Sequence, residues 1–206
     1  MLRIWGRTNS VNVKKVLWAA EEMRLPYERI DAGLQFGVNK TPAYLKMNPT
    51  GLVPTIDDDG FILWESHTIV RYLAARHSVG ELWPTEPRQR ADAERWMDWT
   101  FTFQKEFQRP IFWPLVRTPP EKRDLDAIEA ARKTCVELLK IPEAYLAERR
   151  YLAGDELSIA DIPLGCHVHL WMRLPIERPA QPHLNAWFER LCERPAFRKS
   201  VDIPLS

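Results

Sequence analysis

The sequence predicts an α/β domain followed by an all-helical domain. Short apolar strands alternate with amphipathic helices through roughly the first 78 residues. Gly, Pro and Trp then concentrate from Gly80 to Pro87, and beyond them apolar residues recur only at helical spacing. The expected organisation is therefore a sheet-containing domain over 1–79, a linker over 80–87 and a helical domain over 88–206.

Leu2-Arg3-Ile4-Trp5 alternates like a strand and runs into the polar stretch Gly6-Arg7-Thr8-Asn9-Ser10. Val13, Val16, Leu17, Ala20 and Met23 then line one face of a helix that must stop before Pro26. Tyr27 to Ile30 reads as a second strand. A polar loop from Asp31 to Asn39 leads to a short helix around Thr41 to Met47. Asn48-Pro49-Thr50-Gly51 is a turn cluster, and Leu52 to Ile56 resumes extended structure. Asp57-Asp58-Asp59-Gly60 predicts a hairpin turn into Phe61-Ile62-Leu63-Trp64. Ser66 is placed to cap a helix carrying Ile69, Val70 and Leu73. Past the linker, helices are expected from about Arg88 to Gln108, Pro120 to Arg149, Ile159 to Met172 and Leu184 to Glu193, with a kink or break at Pro142.

With 45% hydrophobic and 28% charged residues, the chain has the balance of a globular protein that buries a core. A net charge of +1 makes no electrostatic case for nucleic acid or an anionic membrane. Runs such as Lys14-Lys15 and Arg149-Arg150 read as solvated helix faces. No segment approaches the ~20 apolar residues of a membrane span, and Met1 to Arg7 lacks a signal-peptide core. Cys135, Cys166 and Cys192 are odd in number and without CxxC spacing, which argues against a disulfide framework or zinc and suits a cytoplasmic protein. His167 and His169 are two apart on a helix and point to different faces, so no metal is expected there.

Three fragments resemble the cytosolic glutathione transferases. They are Asn48-Pro49-x-Gly51-x-Val53-Pro54, then Leu63-Trp64-Glu65-Ser66-x-x-Ile69-x-x-Tyr72-Leu73, and Gly154-Asp155-x-x-Ser158-Ile159-Ala160-Asp161. Their order and spacing cover nearly the whole chain. The first loop, Gly6-Arg7-x-Asn9-Ser10-x-Asn12-Val13-x-Lys15-Val16, is similar to that of bacterial theta-like or nu-like members. The resemblance implies a thioredoxin-like first domain with a mixed four-stranded sheet, glutathione as co-substrate, and a homodimer. It also implies a cis Pro54 that presents the backbone of Val53 to the cysteinyl unit. Glu65 and Ser66 would receive the γ-glutamyl ammonium and carboxylate at a helix N-terminus, where free amides and the dipole favour an anion. Lys40 and Gln35 lie in the loop where the family often contacts the glycyl carboxylate.

A free thiol has a pKa of about 8.5, and lowering it by two units takes only about 2.7 kcal/mol of differential stabilisation. Ser10 stands where serine-type relatives carry an activating hydroxyl, and Asn12 where some bacterial relatives use an amide. Both are also ordinary helix-start residues. Ser10 ranks first and Asn12 second, and the choice stays open. Ser158 with Asp161 reads as a structural capping box. The acceptor pocket is expected between the first loop and the helix after Arg88, lined by Arg7, Trp99, Phe103, Phe107, Trp113 and Arg117. The arginines favour a polar or anionic electrophile, such as a halogenated acid. Three functions follow: transfer of glutathione to a small electrophile, glutathione-dependent disulfide or peroxide reduction on the same site, or a non-catalytic glutathione-binding module.

Overall fold

The computed structural model describes Met1–Ser206. Strands β1 (Leu2–Trp5), β2 (Tyr27–Ile30), β3 (Thr55–Asp58) and β4 (Phe61–Trp64) form one sheet in the order β2-β1-β3-β4. β1 runs parallel to β2 and antiparallel to β3, and β4 is antiparallel to β3, so the sheet is mixed. Helix α1 (Val11–Glu22) makes the β1–β2 crossover, and α2 (Pro42–Met47) precedes β3. Helix α3 (Ser66–His77) follows β4 and packs on α1. Leu2, Ile4 and Ile56 of the sheet close on Val13, Val16, Leu17 and Ala20 of α1 and Ile69 and Leu73 of α3. The hairpin is tighter than its run of acids suggests, because Asp57 and Asp58 belong to β3 and only Asp59-Gly60 turns.

The helical half contains α4 (Pro87–Phe107), α5 (Trp113–Arg117), α6 (Leu125–Leu146), α7 (Asp161–Arg173), α8 (Pro182–Glu193) and the short α9 (Pro195–Ser200). A π-helical turn, Gln108–Phe112, joins α4 to α5. Pro142 does not break α6, which continues to Leu146. The ring is buried, and packing of α6 between α4 and α8 holds the helix across the missing amide.

The larger core of 34 buried residues crosses the domain boundary. It joins Val11, Trp18 and Ala19 of α1 and Val70 and Ala74 of α3 to α4, α6, α7, α8 and α9. Helix α1 therefore has apolar neighbours on two opposite sides, the sheet and the helical half. That corrects the solvated reading of Lys14-Lys15, since both side chains are buried, at 1% and 0% exposure. The start of α7 is fixed by Asp161, whose Oδ1 accepts from the Leu152 amide at 3.0 Å and Trp187 Nε1 at 2.9 Å. Its Oδ2 accepts from the Ser158 amide at 3.0 Å, while Ser158 Oγ accepts from the Ala160 amide. No helix is long and apolar enough to cross a membrane.

Candidate functional site

Ser10 immediately precedes α1 in an extended conformation, and its carbonyl accepts from the Lys14 amide. Its hydroxyl does not cap the helix. The group is thus left for something outside the chain. Asn12 lies one turn-step further in, and its Oδ1 accepts from Lys15 Nζ at 3.0 Å. Both residues line a cleft of about 610 Å³ between the first loop and α4.

Val53 lines the same cleft, and the Val53–Pro54 bond is cis. Neither the amide nor the carbonyl of Val53 enters a backbone pair. Tyr44, whose hydroxyl donates to Leu52 O at 2.6 Å, and Asn48, whose amide donates to the same oxygen at 3.0 Å, hold the approach to this segment. Gly33 opens the far wall. At φ 91° it has no side chain, and a Cβ there would lie 3.1 Å from Arg7 Nη1 and 3.4 Å from Val53 Cγ2.

Glu65 and Ser66 stand where β4 passes into α3. The cap position belongs to Glu65, not Ser66, which is the first helical residue. Glu65 has φ 73° and ψ 110°, a conformation that costs a non-glycine residue of the order of 1–3 kcal/mol. The first amide of this region to find an acceptor is that of Ile69, bonded to Glu65 O, so the amides before it are open to a ligand. The Glu65 side chain is exposed and makes no ion pair, and Ser66 is buried. Lys40 is exposed with its ammonium against Gly51, and Gln35 is exposed on the turn Leu34–Phe36. These four residues lie outside the lining of the 610 Å³ cleft.

The acceptor side differs from expectation. Phe103 and Phe107 are fully buried and stack on each other at 5.3 Å, against Trp171. Trp99 belongs to a separate aromatic groove of about 280 Å³ with Arg95, Trp96, Ile141 and Tyr145. None of these three residues lines the cleft. The face of α4 that does so carries Phe101, Gln104 and Lys105, joined by Gln108, Arg109 and Trp113 beyond its end. The π turn explains Trp113. Twelve residues of regular helix would carry it about 120° around the axis from Phe101. A wider turn takes up part of that rotation, so both reach the cleft. Phe112 goes instead to the core.

Cations dominate this end. Arg109 lies over the Trp113 ring at 5.3 Å and Arg117 over the same ring at 5.5 Å. Arg7 enters from the loop with its Nε buried and unbonded. Burial, and then the charge of Arg117, hold its guanidinium below the ordinary arginine value. Arg7, Lys105 and Arg109 line the cleft, no carboxylate does, and Arg117 stands outside the lining, behind the Trp113 ring. Lys105 and Arg109 were legible only as polar residues of an aromatic helix, because which face of α4 meets the first loop depends on the fold. A larger depression of about 740 Å³ lies between α1 and the C-terminal tail, and it holds none of the expected site residues.

Behind the cleft is a buried layer of titratable groups at the junction of the two halves. Lys15 Nζ lies 2.9 Å from His67 Nε2 and 3.5 Å from Gln104 Oε1, besides its bond to Asn12. The His67 ring stacks on Phe101 at 4.2 Å. His167 and His169 are buried on α7 with no hydrogen-bond partner, and no three acids, cysteines or histidines converge as metal ligands. Burial pushes Lys15 down to about 7 and Lys14 down to about 8, and it holds His67 and His167 well below the usual imidazole value.

Comparison with known proteins agrees with this architecture. Residues 9–76 match the family described as "Glutathione S-transferase, N-terminal domain", and 106–195 match "Glutathione S-transferase, C-terminal domain". The chain is 46% identical to Glutathione S-transferase GstB of Escherichia coli K12, with both chains fully covered. It is 32% identical to Glutathione S-transferase 3 of Zea mays, over 99% of this chain and 95% of the relative. Among solved structures, it is similar to a theta class glutathione S-transferase from Xanthomonas axonopodis pv. citri with glutathione bound. The TM-score there is 0.95 and the identity 48%, over 100% of this chain and 99% of the other. A four-stranded mixed sheet with a cis Val53–Pro54 turn, a helical half and these full-length likenesses lead to one assignment: the chain belongs to the glutathione S-transferase family.

Proposed function

We propose that the protein transfers glutathione to a small, anionic or polar electrophile. The observation that carries this is the set of unused polar groups on one cleft: the Ser10 hydroxyl and the backbone of Val53, facing Arg7 and Arg109, which pair with no carboxylate. The peptide's cysteinyl unit pairs with Val53. Its γ-glutamyl end reaches Glu65 and the open amides of α3, and its glycyl carboxylate meets Lys40, with Gln35 further out. The thiol loses its proton to solvent, and the thiolate is held by the α1 N-terminus with Ser10 and Asn12. Sulfur then bonds to the electrophilic carbon while the bond to a leaving group such as halide breaks. Arg7, Arg109 and Arg117 hold the acceptor's negative group, and Trp113 supplies a flat apolar wall. Residues 1–79 are the glutathione half in this reading, 80–87 the connection and 88–206 the acceptor half.

A second reaction, disulfide or peroxide reduction by glutathione, gains support from Asn12, whose amide is fixed by Lys15. Binding without catalysis leaves the free Ser10 hydroxyl and the cation cluster without a use. A homodimer fits the exposed aromatic groove around Trp99, and sedimentation of the purified chain measures it. Three unpaired cysteines suit the cytoplasm.

The decisive experiment compares transfer to halogenated acids, halogenated amides and neutral aryl halides with disulfide reduction. It uses the wild type, Ser10→Ala, Asn12→Ala and Arg109→Ala. Loss of a thiolate-stabilising donor is expected to lower transfer about 10-fold to 1000-fold. Arg109→Ala should reduce turnover of the acids selectively. Equal rates in all four proteins, or a preference for bulky neutral aryl halides, would overturn the reading.

A further inference from the structure

The ammonium of Lys15 has three donors and meets three acceptors, each on a different helix: Asn12 Oδ1 on α1, His67 Nε2 on α3 and Gln104 Oε1 on α4. All three are neutral. Lys15 is fully buried and no carboxylate touches it, although a buried ammonium ordinarily requires a paired charge. Two of its three acceptors, Asn12 and Gln104, belong to residues that line the cleft. The third, His67, follows Ser66 and stacks on Phe101, another cleft residue.

An amide whose oxygen faces an ammonium turns its NH2 the other way. With Oδ1 turned to Lys15, the NH2 end of Asn12 is the end left for a ligand in the cleft, and its N–H groups offer the polarity a thiolate requires. The charge behind the amide adds to this. A sulfur anion on the cleft side of Asn12 is the counter-ion that the buried ammonium lacks.

We propose that Lys15 is the positioning residue for the thiolate: it locks Asn12 with its N–H groups toward the glutathione sulfur and supplies the positive charge that the sulfur anion neutralises. This rests on the glutathione-transfer reading above. Lys15 does not touch the peptide itself, so its effect passes through Asn12 and through the field. The titratable groups around it are His67 on α3, Cys166 and His167 on α7, and Glu65 at the start of α3. Burial pushes Lys15 down to about 7 and the Cys166 thiol up to about 12, so in the empty cleft the Glu65 carboxylate acts on the ammonium through the field but makes no ion pair with it. Thiolate and ammonium should therefore titrate as a coupled pair.

The test is made on full-length protein with glutathione and with S-methylglutathione, which has no thiol to ionise. In Lys15→Met, the bound thiol's pKa, read from thiolate ultraviolet absorbance, should rise by at least about one unit toward the free value of about 8.5. Transfer at mildly acidic pH should fall about tenfold for that unit, and the deficit should close as pH rises. A merely structural role would instead lower activity equally across the pH range. Lys15→Arg, which keeps the charge, should restore part of the shift. Should Lys15→Met fail to fold, NMR of nitrogen-labelled lysine in the wild type decides, with the Lys15 signal identified by its loss in Lys15→Arg. Its pKa should rise by at least one unit with glutathione and stay unchanged with S-methylglutathione. A bound thiol that titrates normally in folded Lys15→Met, or a Lys15 signal indifferent to the thiol, overturns the proposal. If wild type itself lowers no thiol pKa, the transfer reading falls with it.

Discussion

Glu65 shows what a single residue contributes when its conformation and its chemistry pull in opposite directions. Its backbone sits at φ 73°, where a Cβ is unwelcome, yet its carboxylate stands free at the mouth of α3. A position strained in this way persists when the surrounding structure and the ligand both need it. Replacing it with glycine removes the Cβ conflict and the ligand group together. Glu65→Gly should keep its urea midpoint or gain up to about 1 kcal/mol of stability, while the KM for glutathione rises about tenfold or more. Denaturation and steady-state kinetics on one preparation check both halves. A variant that is less stable but binds glutathione normally would remove Glu65 from the site. The Glu65-Ser66 pair was legible in the sequence as a candidate because it occurs in a short, ordered motif. The strain was not, since φ is fixed by how β4 hands the chain to α3. Lys15 was misread for a related reason: lysine on an amphipathic helix normally points to water, and nothing local announces a second burying surface.

At the scale of elements, α7 carries the consequences of being buried throughout. His167 and His169 lie in its core-facing length, with burial holding His167 far below the usual imidazole value and His169 at about 4. His67, packed against the same junction, is likewise held down. The unfolded chain binds these protons near pH 6.5 and the folded chain does not, so stability rises with pH across the window from about 4 to 6.5. Asp161 acts the other way, because burial raises its carboxyl to about 6 and the folded state gains a proton between that value and about 3.9. One acid opposes three imidazoles, and the imidazoles should win. Lys14 and Lys15, lowered by burial to about 8 and 7, extend the rise into the alkaline range toward about 10.4. Urea midpoints should therefore climb from pH 5 to pH 8, and His167→Leu should flatten the acidic part of the curve. A midpoint that falls over that range would contradict the burial argument. The existence and order of these helices followed from apolar spacing, and the start of α7 from its Ser158–Asp161 pattern. The survival of α6 past Pro142 did not, because packing by α4 and α8 outweighed the local penalty.

The whole molecule is held together by α1, which serves both halves. Trp18 packs edge-on against Phe197 at 4.9 Å, and its Nε1 donates to Glu22 at 2.8 Å. Glu22 in turn accepts two bonds from Arg194 at 2.7 Å. Gly165 of α7 lies so close to this helix that a Cβ would come within 2.9 Å of Trp18 and 2.8 Å of Leu191. Because one core runs through both halves, they should unfold together, with tryptophan fluorescence and circular dichroism giving the same urea midpoint. Gly165→Ala should lower that shared midpoint by about 1–3 kcal/mol of overpacking. Two separate transitions would show that the halves are independent. By itself, the sequence determined the strands, most helices and the family, because those depend on short-range periodicity and local turn chemistry. Only the tertiary structure decided which faces were inside. It put Phe103 and Phe107 in the core, turned Lys105 and Arg109 to the cleft, and buried Lys15 behind Asn12. A helix exposes or hides a face according to what packs on it, and that partner lies far away in the chain.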